Sequence, residues 1–388
     1  MKKHISAALA VLCIAVLLIG SFAAFTPNTI SSFVSNVFDS AADVTPLTDD
    51  FNGRENYYYS SLDEKGKAEY TKIYNGYMNL KDFTVNLERD DFDYMFNCVL
   101  YDNPEIFWVD SSYSFSKSHI GYFIEPDYRF TADEIKTKST ELRSAVDAIL
   151  SRSGSDISDY GKEKFFHDYI CENTVYDFST YEKFGDTAYS VFIDGKAICE
   201  GYSRAFKMLL DASGIYNYLV IGKTKNEDGK MEGHMWNVIS VDGELYHIDV
   251  TWDDSDGELG EKTNLYFNLT DADIRKDHYD IVPYENNCNS IKYNYFYVNG
   301  LMFSSFNNFN GMSALCAAGI NEDLILEMRF SDALAYSKIR TKALNNETDR
   351  DFFDFTVDVA RLSGKNIKSK SYIYDDKFNY ICIVFEKG

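Results

Sequence analysis

Three separate segments of the sequence carry residue types that could perform thiol chemistry. In chain order they hold a cysteine, Cys199, in DGKAICEGYSRAF, a histidine, His234, in GHMWNV, and an aspartate, Asp249, in YHIDVTWDD. A histidine that takes the thiol proton and a carboxylate that fixes the histidine tautomer together turn a cysteine into a nucleophile. The sequence therefore predicts a reactive thiol at Cys199 if the fold brings the three side chains together.

The residues after Cys199 predict a helix that begins at or near the cysteine. Residues 205–210 continue as helix, and Ser213-Gly214 ends it. Unpaired N–H groups in the first turn and the positive end of the helix dipole favour a thiolate there and could also hold an oxyanion. Gly195 and Gly201 flank the cysteine and permit close approach of the backbone. A cysteine at a helix start is more often a small buried residue, so this segment alone identifies no nucleophile.

A predicted β-hairpin brings the histidine and the aspartate together. Asp242-Gly243 suits a two-residue turn between residues 234–241 and 244–252. Counting outward from the turn, the expected pairs are Val241 with Glu244, Val238 with His247, Trp236 with Asp249, and His234 with Thr251. His234 and Asp249 then share a face as diagonal neighbours, with backbones about 7–8 Å apart. A slip of one residue would move Asp249 to the other face.

These segments resemble the transglutaminase-like superfamily, whose catalytic core is similar to that of papain-type cysteine enzymes. A cysteine at a helix start, a His-x-Trp strand and an Asp-x-Thr-Trp strand follow in the family's order, and the resemblance covers roughly residues 159–284. It implies an α+β fold in which a helix carrying Cys199 packs on an antiparallel sheet carrying His234 and Asp249.

The resemblance also implies a mechanism. Cys199 would attack the carbonyl of a peptide-type amide and form a thioester, with His234 as base and later acid and Asp249 orienting it. An amine that resolves the thioester makes the enzyme a transamidase, whereas water makes it a protease or amidase. Tyr189 or Ser190 could be the upstream residue that helps the Cys199 N–H group bind the oxyanion.

Several other residues could serve the site or the core. Tyr202, Trp236 and Trp252 are candidates for cleft walls. His247 shares the predicted face of His234, and we interpret it as a packing or hydrogen-bonding residue. The sequence shows no partner for His167 or His278, which we interpret as structural.

No metal or cofactor is predicted. Cys199, His234, His247 and Asp249 have the residue types of a zinc site, but their spacing lacks the short ligand pairs of structural zinc. The acidic run at residues 253–258 does not fit the ligand positions of a calcium loop and predicts a solvated turn.

The first 25 residues predict an export signal. Lys2 and Lys3 precede an apolar run over residues 5–19 and small residues that end at Ala24. The same stretch is long enough to stay in the bilayer as an anchor. We therefore expect a protein that is secreted, or anchored to the membrane and facing outside, and that acts on a protein or peptide, with cell-wall and surface proteins as candidates.

The net charge and the cysteine spacing each exclude one class of protein. The formal net charge of −23 argues against nucleic acid as a partner, because a phosphate-binding face needs a basic excess. Seven cysteines are present, of which Cys13 lies in the predicted signal. The other six are widely and irregularly spaced, unlike a disulfide scaffold, so most are expected to be buried core residues.

Turn signals and periodicity divide the chain into five parts. The predicted parts are a signal or anchor at residues 1–25, a tether at 26–49, a mostly helical N-terminal domain at 50–155, the catalytic domain at 156–285 and a small α/β appendage at 286–388. The N-terminal domain should contain helices at 62–80, 90–100 and 131–150 and a strand at 106–109. The appendage should contain a strand at 324–330, a helix opened by Ser331, a helix at 351–362 and a closing hairpin.

An alternative function keeps the fold without turnover. In that case the chain is a non-catalytic binding or scaffold module at the cell surface, and its aromatic flanking domains hold the partner. The two functions predict different environments for Cys199. An exposed sulfur within hydrogen-bond reach of His234 favours the enzyme, and a dry, capped sulfur favours the module.

Overall fold

The computed structural model describes residues 56–154, 157–226, 228–254, 262–283, 286–306, 309, 312–345 and 349–388. The predicted signal and tether lie outside these residues. All described residues fall in one compact unit. In this part of the chain, no helix has both the length and the apolarity to span a membrane.

The N-terminal region combines four helices with a small antiparallel sheet of strand order β1-β3-β2. Its elements are α1 Tyr57–Ser61, α2 Glu64–Met78, β1 Phe83–Val85, α3 Phe92–Asp102, β2 Val109–Ser118, β3 Gly121–Tyr128 and α4 Ala132–Ser153. The three predicted helices are confirmed. α4 begins where expected because Thr131 and Glu134 form a reciprocal capping box.

The strand predicted at residues 106–109 is wrong, because β2 starts only at Val109. Ile106, Phe107 and Trp108 are buried in a turn that precedes the strand. The indole N–H group of Trp108 donates to the Tyr77 carbonyl at 3.0 Å, which fixes this turn against the end of α2. The short apolar run at residues 106–109 fits the pattern of a strand, but most of it forms a loop whose side chains are buried in the core.

The central region is a helix packed on an antiparallel sheet of strand order β8-β7-β6-β9. Its elements are α5 Asp159–Asn173, β4 Val175–Tyr176, β5 Lys196–Ala197, α6 Cys199–Ala212, β6 Asn217–Lys225, β7 Met231–Val241, β8 Glu244–Ile248, α7 Asp271–Ile274 and β9 Tyr279–Val282. α6 is buried along most of its length and packs against β7 and β6. The predicted α+β architecture is confirmed.

The predicted hairpin register is confirmed over the strands that form. Val241 pairs with Glu244 and Val238 pairs with His247. Asp242 and Gly243 both have positive φ, as a two-residue primed turn requires. β8 nevertheless ends at Ile248 rather than at residue 252, because the Asp249 carboxylate accepts the backbone N–H groups of the next residues and turns the chain.

The C-terminal region is a four-stranded sheet with helices, of strand order β10-β11-β13-β12. Its elements are α8 Tyr295–Val298, β10 Met302–Phe303, α9 Met312–Ala318, β11 Ile325–Phe330, α10 Ala333–Leu344, α11 Arg350–Ser363, β12 Ile367–Asp375 and β13 Tyr380–Lys387. α10 is capped by Asp332 rather than by Ser331, because the Asp332 carboxylate accepts the Ala335 N–H group. The domain boundaries near residues 155 and 285 remain predictions.

Candidate active site

Cys199 is the first residue of α6 and differs from the other described cysteines in its access to solvent. Its predecessor Ile198 is extended, so the helix begins at the cysteine. All six described cysteines are free, and Cys199 is half-buried, whereas the other five are buried: Cys98, Cys171, Cys288, Cys316 and Cys382. Burial raises the pKa of Cys98 and of Cys316 to about 12, so these core thiols keep their protons at neutral pH.

Two glycines, one on each side of Cys199, shape the backbone around the cysteine. Gly195 has φ +65°, a left-handed conformation that costs a residue with a Cβ atom more than it costs glycine. A Cβ atom at Gly201 would lie 2.4 Å from the Gly185 carbonyl oxygen. The close approach expected at Gly201 is therefore a contact inside the protein, and it presses the first turn of α6 against a neighbouring loop.

His234 lies in β7 and contacts both other members of the predicted triad. Its Nε2 atom is 2.6 Å from Oδ2 of Asp249, and its ring lies close enough to the Cys199 side chain to interact with it. Because Nε2 faces the carboxylate, Nδ1 is the nitrogen left for the thiol. Burial acts to lower the pKa of His234, but the Asp249 carboxylate and the contact with Cys199 outweigh it and raise the pKa to about 10. The ring is therefore held as an imidazolium at neutral pH.

Asp249 is fully buried and is satisfied at both oxygens. Oδ1 accepts the backbone N–H groups of Thr251 and Trp252 at 3.0 and 3.2 Å, and Oδ2 faces His234. Burial alone would raise the pKa of this carboxyl group, but the charge of His234 and these hydrogen bonds hold it well below its usual range. Asp249 is thus a fixed anion that orients the imidazole.

His278 is a site residue that sequence reasoning missed. Its Nε2 atom lies 3.1 Å from Oδ2 of Asp249, and its Nδ1 atom lies 2.8 Å from Oδ1 of Asp277. The interpretation of His278 as a residue without a visible partner is therefore corrected. It lies 29 residues beyond Asp249 and immediately before β9, so no local spacing indicates the contact.

Tyr176 is the second residue that the sequence did not reveal. β4 pairs in parallel with β5, which places Tyr176 opposite Ala197, two residues before the cysteine. The Tyr176 hydroxyl lies near the backbone N–H group of Cys199. Burial, with the nearby Cys199 and Asp249 charges, raises the pKa of Tyr176 well above its usual range. A neutral hydroxyl therefore lies beside the N–H group that an oxyanion would use.

The two residues predicted to assist the oxyanion have partners elsewhere. The Tyr189 hydroxyl donates to Glu141 at 2.7 Å and accepts from Lys138 at 3.2 Å. The Ser190 hydroxyl donates to the Lys196 carbonyl oxygen. The assignment of either residue to the oxyanion site stays a prediction that these contacts do not support.

The three aromatic candidates for cleft walls differ in exposure. Tyr202 is buried and donates its hydroxyl to Asp254. Trp236 is also buried, with its ring centroid 6.0 Å from that of His234. Trp252 is partly exposed, and its ring lies 5.6 Å from His234. Of the three, only Trp252 has the exposure that a cleft wall requires, whereas Tyr202 and Trp236 support the site from the core.

His247 is a hydrogen-bonding core residue, as interpreted from the sequence. Its Nδ1 atom accepts the indole N–H group of Trp236 at 3.0 Å, so its proton must lie on Nε2, which faces Asp271 at 2.9 Å. Burial lowers the pKa of His247 despite Asp271. This ring is therefore neutral, unlike that of His234.

Two groups of described side chains have the types and proximity of metal ligands. They are His234, Asp249 and His278, and His247, Asp271 and Cys288. Neither group is the set of four residues, Cys199, His234, His247 and Asp249, that was considered as a zinc site from the sequence. In both groups the closest nitrogen to oxygen distances, 2.6 to 3.1 Å, are hydrogen-bond lengths, so shared protons account for the geometry.

Comparison with known proteins finds a family model that matches part of the chain. Residues 144–250 match the model of the transglutaminase-like superfamily, a range that contains Cys199, His234 and Asp249. This part of the chain therefore resembles a transglutaminase-like domain. Comparison with curated proteins gave no match.

Two solved structures resemble parts of the chain. One, described as a TGase, is 17% identical over 44% of this chain and 50% of its own, with a TM-score of 0.26. The other, a proposed cysteine protease from Cytophaga hutchinsonii, is 12% identical over 36% of this chain and 61% of its own, with a TM-score of 0.25. The chain thus spans about half to three fifths of the length of these structures.

Proposed function

We propose that the chain is an exported cysteine-dependent enzyme that transfers the acyl group of a peptide-type amide through a thioester on Cys199. One observation carries the proposal. The half-buried Cys199 lies beside the His234 ring and interacts with it, and His234 in turn lies 2.6 Å from Asp249. The non-catalytic alternative requires a buried, capped thiol, and the partial exposure of Cys199 favours the enzyme over it.

The first half of the reaction uses His234 as a proton carrier. The thiol proton lies on His234, as the raised pKa of the ring favours, and the sulfur attacks the carbonyl carbon to form a C–S bond. The carbonyl π electrons move to oxygen, where the backbone N–H group of Cys199 and the Tyr176 hydroxyl can donate to the oxyanion. The oxyanion then collapses, the C–N bond breaks, and His234 gives its proton to the departing amine.

The second half resolves the thioester. Water or an amine gives a proton to His234 and attacks the acyl carbon, and the sulfur leaves as a thiolate paired with the imidazolium. Water yields a carboxylic acid, and an amine yields a new amide. Asp249 stabilises the imidazolium in both halves. The residues of the site serve either outcome.

Thiol labelling tests the proposal without a known substrate. The full chain is treated with iodoacetamide at neutral pH, and the modified cysteines are located by peptide mass spectrometry. We expect Cys199 to be labelled selectively and faster than free cysteine, and His234→Ala to slow that labelling by about 10²-fold or more. Equal labelling of all the cysteines, or no effect of His234→Ala, would contradict an activated thiol.

A second assay separates the two outcomes of turnover. A panel of proteins is incubated with the enzyme and a fluorescent primary amine. Covalent incorporation of the amine indicates transamidation, and new peptide termini or released ammonia indicate hydrolysis. The Cys199→Ala variant is the matched control and should give neither product.

A further inference from the structure

His278 joins two carboxylates inside the protein. The side chain is fully buried, and its two ring nitrogens lie 3.1 Å from Asp249 and 2.8 Å from Asp277. The Asp249 oxygen that faces His278 is the same Oδ2 atom that faces His234. The two imidazole rings lie 5.4 Å apart between centroids. One carboxylate oxygen is thus shared by the catalytic histidine and a second histidine behind it.

The hydrogen bonds favour a positively charged His278. Each of its ring nitrogens faces a carboxylate oxygen, and both contacts are satisfied only if both nitrogens carry protons. Asp277 is kept as an acceptor, because the Tyr266 hydroxyl donates to its Oδ2 atom at 2.9 Å and Lys377 lies 3.6 Å from the same atom. Asp249 already accepts two backbone N–H groups. A neutral His278 would leave a nitrogen lone pair facing one of these oxygens.

The surroundings of His278 make a charge there effective. The rings of Trp252 and Trp236 lie 4.6 and 4.8 Å away and exclude water. The titratable or charged groups that face His278 come from several elements: Asp249 after β8, His234 in β7, His247 in β8, Asp277 beside it, Tyr266, and Lys377 through Asp277. At such distances in a dry environment, a unit charge changes the proton affinity of a neighbour substantially.

We propose that His278 is a positioning residue that limits how strongly Asp249 holds the proton on His234. A cation at His278 neutralises part of the Asp249 charge, so the imidazolium of His234 gives up its proton more readily. Its position also restrains Oδ2 of Asp249 in the direction of His234. The inference rests on the proposed function, because His234 must return its proton to the departing amine in each turnover.

The test uses the neutral variant His278→Gln in the full chain. Removing a positive charge should raise the pH at which His234 loses its proton by roughly two pH units, for unit charges about 5 Å apart at an effective dielectric constant of about 20. Isotope-labelled histidine followed by NMR reports this titration. The acid limb of the pH profile for Cys199 alkylation by iodoacetamide should move in the same direction by a smaller amount.

The outcomes separate a charge effect from a packing effect. An upward shift of the His234 titration supports the proposal. Unshifted titration in a folded variant, or alkylation that slows equally at every pH, overturns it. If Cys199 of the natural chain reacts no faster than free cysteine, the proposed function fails, while the His234 titration still decides the role of His278.

A measurement on the unmodified protein guards against a variant that does not fold. The ¹⁵N chemical shifts of labelled histidine distinguish a doubly protonated ring from either neutral tautomer. We expect both nitrogens of His278 to carry protons at pH 7 in the full chain. A neutral His278 at that pH overturns the proposal whatever the variant does.

Discussion

Two regions of the molecule each bring a cysteine, a histidine and an aspartate together, one around Cys199 and the other around Cys171. In the second region, His167 lies one helical turn before Cys171 on α5, with its ring nitrogens 3.2 Å from Asp168 and from Asp253. Burial acts to lower the pKa of His167, but hydrogen bonds with the two carboxylates outweigh it and raise the pKa. His167 thus resembles His234 in its carboxylate partners and in the direction in which its pKa is shifted.

The two cysteines differ in placement. Cys171 is buried in α5 and donates its thiol to the Val250 carbonyl oxygen at 3.6 Å. Burial and the carboxylates nearby raise the pKa of Cys171 well above its usual range. Cys199 begins a helix, is half-buried, and contacts His234. The presence of a cysteine, a histidine and an aspartate in one region is therefore not enough to predict a reactive thiol. The solvent access of the sulfur and its proximity to the imidazole distinguish the two regions.

Removal of each sulfur should give the largest contrast. Cys199→Ala should abolish labelling at that position and lower turnover by a factor on the order of 10⁴ or more. Cys171→Ala should leave both unchanged and lower the free energy of unfolding by about 1–2 kcal/mol through lost core packing. Labelling kinetics and urea denaturation of both variants measure these effects. Loss of turnover in a folded Cys171→Ala protein would break the comparison.

Removal of each histidine should separate chemistry from stability. His234→Ala should slow Cys199 alkylation by about 10²- to 10³-fold, because the thiol loses its base. His167→Ala should leave the alkylation rate of the folded protein unchanged. It should lower the free energy of unfolding by about 3–5 kcal/mol, because it strands the buried Asp253 carboxylate. Denaturation and iodoacetamide kinetics on the same samples distinguish the two. Slower alkylation in His167→Ala, together with an unchanged rate in His234→Ala, would indicate that His167 rather than His234 activates the thiol.

The part of the site that follows local rules could be predicted from the sequence. The Asp242-Gly243 turn and the two-residue period of a strand fix the register, and the observed pairs Val241 with Glu244 and Val238 with His247 are those expected. The helix that starts at Cys199 follows from the residues on either side of it. These features depend on neighbours within a few residues of one another.

The rest depends on contacts that sequence separation conceals. His278 reaches Asp249 only because β9 pairs with β6, and Tyr176 reaches Cys199 only because β4 pairs with β5. The two histidine–aspartate groups could not be distinguished either, because the partner of His167 is 86 residues away. Tyr189 is closer to Cys199 in sequence than Tyr176 is, yet its hydroxyl contacts Glu141. The long-range pairing of short strands has no local signature.

The groups beside the two cysteines also differ in whether they could stabilise an oxyanion. The Tyr176 hydroxyl near Cys199 can donate a hydrogen bond, whereas the Val250 carbonyl oxygen that the Cys171 sulfur faces can only accept one. Tyr176→Phe should slow formation of the thioester by about 10- to 100-fold, as expected for loss of one oxyanion donor at a partly exposed position. It should leave alkylation by iodoacetamide nearly unchanged, because that reaction forms no oxyanion. Burst kinetics with an activated acyl substrate provide the measurement, and Tyr202→Phe is the matched control. Equal slowing of both reactions would indicate a structural role instead.

The pH dependence of stability should be common to both regions. The pKa of His234 is raised to about 10 in the folded protein, above its value of about 6.5 in an unfolded chain. Folding therefore gains stability from this group that is fully present below about pH 6.5 and is lost as the pH rises through about 10. His167 contributes in the same direction.

Thermal unfolding of the full chain between pH 6.5 and 10 measures this effect. The melting temperature of the natural chain should fall across this interval, and it should fall less in His234→Gln and in His167→Gln, because each variant removes one titrating group. An equally steep fall in His234→Gln would show that Asp249 does not hold the proton on His234 in the folded state. The raised pKa that the proposed mechanism requires of His234 would then be absent.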